Sequence, residues 1–151
     1  MKKTIIVTGG AGYIGSQVVR KLAESGEFLM VIVDNLSTGY QKAVDILNNK
    51  FKEEVLLEKV DMLDEAGLTA VFEKYKPEAV VQMAAKLIVD ESNRQPLDYF
   101  ENNVGGVVNV LRAMEKVGCK HIVFSSTAAV YGQTEYLPLD EIGRASCRER
   151  V

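Results

Sequence analysis

A chain of 151 residues that is 47% hydrophobic can bury one sizeable core, so a single domain is expected. Its net charge of −3 gives no field that would draw in nucleic acid or an anionic membrane surface. Every apolar run falls short of the roughly 18 residues of a membrane span. Met1-Lys2-Lys3-Thr4 leads into a strand too directly for a secretory signal, so a soluble, cytoplasmic protein is expected. Cys119 and Cys147 make neither a disulfide framework nor a metal-ligand spacing, and no metal is expected.

The first apolar run, residues 4–8, passes into Gly9-Gly10-Ala11-Gly12-Tyr13-Ile14-Gly15. A helical pattern follows over 13–25, with Ile14, Val18 and Leu22 recurring every fourth residue. A strand, a glycine turn and a helix N-terminus in that order make a cradle for a pyrophosphate. Glycine lets the backbone turn tightly and approach the ligand, and the helix's free N–H groups face its negative charge. Gly10, Gly12 and Gly15 satisfy G-x-G-x-x-G, while Gly9, Gly12 and Gly15 satisfy G-x-x-G-x-x-G. Tyr13 and Ile14 sit in the first helical turn, inside the same candidate cradle. The second run, 28–34, ends in Asp34, nineteen residues after Gly15, where a dinucleotide-binding unit places its ribose-binding acid. Ser37-Thr38-Gly39 then either joins the ligand or forms a turn capping a helix over 40–49.

A third run at 55–60 leads to Asp61-Met62 and a helical pattern over 64–75, and a fourth, 79–83, leads to Ala84-Ala85-Lys86. A long helical pattern over 97–117 contains Asn102, Asn103, Gly105 and Gly106, all poor helix formers. Such a conflict marks close packing or a site. The fifth run, 121–125, opens on His121, for which a structural or exposed role is expected, and ends in Ser125-Ser126-Thr127. Short, almost continuously apolar strands alternating with helices predict a Rossmann-type, doubly wound parallel α/β sheet. Its ligand belongs outside the carboxyl ends of the strands. Residues 142–151, with three arginines and no apolar face, fit no element. They resemble a translated sequencing adapter and read as a non-native tail on a domain of residues 1–141.

Thr8 to Gly15, Asp34-Asn35-Leu36-Ser37, Asn102-Asn103-Val104 and the run from Phe124 to Gly132 fall in order after the expected strands. Together they resemble the extended short-chain dehydrogenase/reductase family over about residues 3–141. The resemblance implies NAD as cofactor, a UDP-sugar as substrate, and epimerisation at C4 of that sugar through a 4-keto intermediate. The alternatives are another nucleotide-sugar epimerase or a non-catalytic NAD-binding module. By the same resemblance Asp34 bonds the adenine ribose hydroxyls, Asn35 and Ser37 add contacts to that ribose or the phosphates, and Asp61 with the Met62 N–H reads the adenine edge. Ala84 and Ala85 let the middle of the cofactor lie close to the backbone, with Lys86 beside it. The family's lysine usually follows an apolar residue in this loop, whereas Lys86 precedes Leu87. Asn102 faces the cofactor, Ser125 lies near the nicotinamide, and Thr127 is the catalytic hydroxyl on the sugar's reacting oxygen.

A carboxylate at Asp34 repels a 2′-phosphate about 4 Å away by several kcal/mol at an intermediate dielectric, which favours NAD over NADP. Ala128 and Ala129 follow Thr127, so the acid that related dehydratases and decarboxylases carry in this stretch is absent. The family's base is a tyrosine four residues before a lysine that lowers its pKa. None of the six tyrosines matches. The chain is therefore expected to be an inactive N-terminal fragment without the sugar-binding domain, and a homodimer is an open expectation for the whole protein.

Overall fold

Residues 5–7 and 30–33 are apolar on both faces of the backbone, as strands covered on both sides require, and they form the centre of the sheet. The computed structural model describes residues 2–127. Five parallel strands, β1 (Lys3–Thr8), β2 (Phe28–Val33), β3 (Val55–Glu58), β4 (Ala79–Gln82) and β5 (His121–Phe124), lie in the order β3-β2-β1-β4-β5. The helices are α1 (Tyr13–Ala23), α2 (Gln41–Phe51), α3 (Glu65–Tyr75), α4 (Val89–Arg94), α5 (Pro96–Phe100) and α6 (Gly106–Val117), with a π-helical turn at Glu101–Gly105.

Alternation along the strands sends side chains to two cores. On one face Ile6, Val31 and Val80 pack with Leu68 and Phe72 of α3 and Val110 of α6. On the other, Val7, Met30 and Ile32 pack with Val19 of α1 and Val44 of α2. Enclosing one such large side chain stabilises the fold by about 2 kcal/mol. Among the described residues, no helix is long and apolar enough to cross a membrane.

Two expectations about the helices need correction, and one helix was not expected. The buried face of α1 is Gly15, Ser16, Val19 and Ala23, one residue round from the Ile14, Val18, Leu22 repeat. Ile14 is 59% exposed, because the backbone contact at Gly15 fixes how the helix is rotated on the sheet. The long helix at 97–117 is broken: Pro96 starts the short α5, and the Asn-Asn-Val-Gly stretch widens into the π-turn before α6 resumes. Helix α4 has no sequence signature, since its six residues bury nothing and carry no apolar period. The strands at 55–60, 79–83 and 121–125 each stop one or two residues early.

At the β3 edge, Glu58 accepts hydrogen bonds from Lys74 Nζ at 2.7 Å and Tyr75 Oη at 2.5 Å, tying the end of α3 to the sheet. The Lys74 bond, then the Tyr75 bond, holds the Glu58 carboxyl below its ordinary 4.5. A carboxyl lowered on folding stabilises the fold above its unfolded pKa and loses that contribution as pH falls through the folded value. Glu58→Gln is therefore expected to lower the urea midpoint at pH 7 slightly, as for a partly exposed pair, and to match the parent near pH 3. Urea melts at both pH values check this, and an unchanged gap at pH 3 would count against it.

Candidate functional site

The strand order reverses between β1 and β4, so the loops leaving these two strands part and open a crevice at their carboxyl ends. The glycine turn lines it. Gly9 has φ +67° and donates its N–H to Val33 O at 2.9 Å. A Cβ on Gly9 would stand 2.7 Å from the Ala84 backbone, and one on Gly15 would stand 2.2 Å from Gly9 O. The geometry therefore uses the Gly9, Gly12, Gly15 frame, while Gly10 packs down on Ile32. Helix α1 starts at Tyr13 with no side-chain cap and no acidic residue in its first turn. Its leading N–H groups, at Tyr13, Ile14 and Gly15, have no acceptor among the described residues. An uncapped helix end beside a glycine turn suits a diphosphate.

Asp34 follows β2 and is buried at 9% exposure. Its Oδ2 accepts from Ala11 N at 3.0 Å and its Oδ1 from Leu36 N at 2.8 Å. Each oxygen keeps a second lone pair for a ligand. Tyr40 N reaches Ala11 O at 3.1 Å, locking this loop to the glycine turn. Ser37 and Thr38 do not cap α2, whose N-cap is Tyr40 and carries no side-chain bond. Instead Ser37 N donates to Asn35 Oδ1 at 2.9 Å, and Asn35 Nδ2 donates to Asp61 Oδ2 at 2.6 Å. Asn35 and Asp61 are thus joined across two loops, and the next residue, Met62, is buried.

On the β4 side, Thr8 Oγ1 donates to Gln82 Oε1 at 2.7 Å and accepts from Met83 N at 3.2 Å. Gln82 Nε2 donates to Ala84 O at 2.9 Å, so this buried pair sets the course of Ala84 and Ala85 past the glycine turn. Thr8 opens the glycine motif, but Gln82 belongs to no motif. The available signal is a glutamine closing the apolar run Ala79-Val80-Val81. Lys86 N donates to Asn103 Oδ1 at 2.8 Å, and Asn103 Nδ2 returns a bond to Lys86 O at 3.0 Å. The Lys86 ammonium lies 5.7 Å over the Tyr99 ring. Tyr99 is held by Glu91 at 2.6 Å, and burial, then Glu91, pushes its hydroxyl pKa up. Asn102 Nδ2 donates to Asn103 Oδ1 at 2.9 Å, within the π-turn. Turns of this kind occur often at functional sites.

Ser125 N donates to Gln82 O at 3.1 Å, which carries Ser125 and Thr127 to the same end of the sheet. Both are exposed there. His121, at the opposite end of β5, lies 3.2 Å from Glu78 O, away from the crevice. Residues 128–151, with Ala128, Ala129 and the suspected tail, lie outside the described residues.

A family model described as GDP-mannose 4,6 dehydratase matches residues 6–148. The chain belongs to the extended short-chain dehydrogenase/reductase family. Among curated members, UDP-glucose 4-epimerase of Lacticaseibacillus casei is 46% identical over 91% of this chain and 39% of its own length. The human UDP-glucose 4-epimerase is 40% identical over 93% of this chain and 42% of its own. The crystal structure of the Stenotrophomonas maltophila UDP-glucose-4-epimerase, with bound NAD and formylated UDP-arabinopyranose, superposes with a TM-score of 0.84 at 34% identity. That match covers 93% of this chain and 41% of the solved one. The chain thus spans about two fifths of the length of these relatives.

Proposed function

We propose that this chain is the NAD-binding part of a UDP-sugar 4-epimerase that interconverts UDP-glucose and UDP-galactose. The observation that carries the cofactor is the uncapped α1 terminus at the Gly9–Gly12–Gly15 turn, with the Asp34 carboxylate fixed beside it. A diphosphate fits the first and ribose hydroxyls fit the second. Gly12, Tyr13, Ile14 and Gly15 would hold the diphosphate, and Asp34, Asn35 and Ser37 the adenine ribose. Asp61 and Met62 would hold adenine, and Ala84, Ala85, Lys86, Asn102 and Ser125 the nicotinamide side. NAD, when bound, supplies the hydride acceptor for C4 of the sugar. Thr127 would hydrogen-bond the oxygen on that carbon.

Epimerisation is favoured over the elimination in the family model's description because alanines at 128 and 129 leave no acid there. Support also comes from the epimerases that share 40–46% of its residues. Residues 1–141 are the proposed native domain and 142–151 the foreign tail. A cytoplasmic location agrees with two scattered cysteines and with no membrane-length helix among the described residues. Leu97, Phe100, Val104, Val108 and Leu111 recur at three- and four-residue steps and are all exposed, which supports pairing with a second copy.

NAD is expected to bind at least about tenfold more tightly than NADP, given several kcal/mol of repulsion between Asp34 and a 2′-phosphate. No arginine lies within 35–39 to offset it. Asp34→Asn removes the charge but keeps an acceptor for the loop, so it should narrow that ratio towards parity. Titration of both proteins with both cofactors is the test. Equal affinities in the parent, or an unchanged preference in the variant, would overturn the assignment.

A further inference from the structure

Resting on that reading, one more residue enters adenine recognition. The Asp61–Leu63 loop is pinned from two directions. From the β2 side, Asn35 Nδ2 holds Asp61 Oδ2 at 2.6 Å, while Leu63 N closes onto Asp61 Oδ1 at 2.8 Å. From α6, Asn109 Nδ2 donates to Met62 O at 3.1 Å and reaches Leu63 O at 3.5 Å. One turn earlier on that helix, Gly106 lets the Met62 side chain seat against the backbone, and Gln82 Nε2 meets Met62 Sδ at 3.3 Å. With the Met62 carbonyl held by Asn109 and the preceding carboxylate held by Asn35, the peptide between them has no freedom to turn. Its Met62 N–H has no acceptor among the described residues.

We propose that Asn109 is a positioning residue for purine selectivity, anchoring the Met62 and Leu63 carbonyls so that the Met62 N–H and the Asp61 carboxylate meet one purine edge. Adenine offers an amino donor at C6 and an acceptor at N1, which match the carboxylate and the N–H. Hypoxanthine offers a carbonyl and an N–H in the same places and mismatches both. Selectivity between the two depends on holding the pair in register, so Asn109 acts on it without touching the base.

The test is NMR titration of the 151-residue chain with AMP, IMP and inorganic pyrophosphate, which reads weak binding directly. The parent should prefer AMP to IMP. Asn109→Ala, a better helix former at a half-buried position, should cut that preference by about fivefold, the worth of one hydrogen bond. Asn109→Asp, isosteric but unable to donate, should do the same, and Asn109→Gln should recover part of the loss. Pyrophosphate binding should not move in any of them, whereas general loosening of the fold would weaken all three ligands. An unchanged AMP-to-IMP ratio in folded Asn109→Ala and Asn109→Asp overturns the role of Asn109. A parent with no preference for AMP overturns the adenine assignment at Asp61 as well.

Discussion

Gly15→Ala is expected to abolish NAD binding and to destabilise the chain by about 3 kcal/mol. The added Cβ would sit 2.2 Å from Gly9 O and 2.9 Å from Gly10 Cα, both backbone atoms of a turn that cannot swing aside. Relief requires α1 to back away from the turn. That motion lifts Val19 and Ala23 off the sheet face they share with Ile5 and Val7. It also withdraws the leading N–H groups from the place where a diphosphate is proposed to lie, so stability and binding should fail together. Urea melts and NAD titration of the variant measure the two losses. Wild-type affinity in Gly15→Ala would show that the helix terminus is not the anion site.

This contact also shows where sequence pattern is informative. The glycine turn, Asp34 and the five strands are legible because each is local: a motif, a spacing, or an apolar run read along a few residues. The rotation of α1 was not, because the fourth-residue repeat of Ile14, Val18 and Leu22 competes with a backbone contact at Gly15 that no hydropathy pattern registers. Asn102, Asn103, Gly105 and Gly106 announced a disturbed helix. That it would be a π-turn, with Asn103 rather than Asn102 on the Lys86 loop, depends on where β4 delivers that loop. The bonds Asn35–Asp61, Lys86–Asn103 and Thr8–Gln82 join residues 26, 17 and 74 positions apart. Strand order makes them neighbours, and strand order is a property of the whole sheet. Helix α4, held by Tyr99 through the Ile88 N–H at 3.2 Å, is fixed by tertiary contact in the same way.

The 151-residue chain by itself is expected to show no measurable conversion of UDP-galactose, whereas its residues 1–141 joined to the remainder of the L. casei relative should convert it. None of its six tyrosines stands four residues before a lysine. A well-placed general base contributes about 10²–10⁴-fold. Thr127 is proposed to hydrogen-bond the sugar oxygen, but a neutral hydroxyl is a poor acceptor for the proton that must leave. Sugar orientation is a separate loss: holding a reacting carbon near its acceptor supplies up to roughly 7–11 kcal/mol of the barrier in favourable cases. Among the described residues, only Ser125, Ser126 and Thr127 follow β5 at that end of the sheet. In the joined protein, Thr127→Ala should lower kcat by about a hundredfold while leaving NAD affinity unchanged, because it bears on the sugar and not on the cofactor. Turnover by the 151-residue chain within about tenfold of the joined protein would overturn this division of labour, since it would require a base that the family's pattern does not provide.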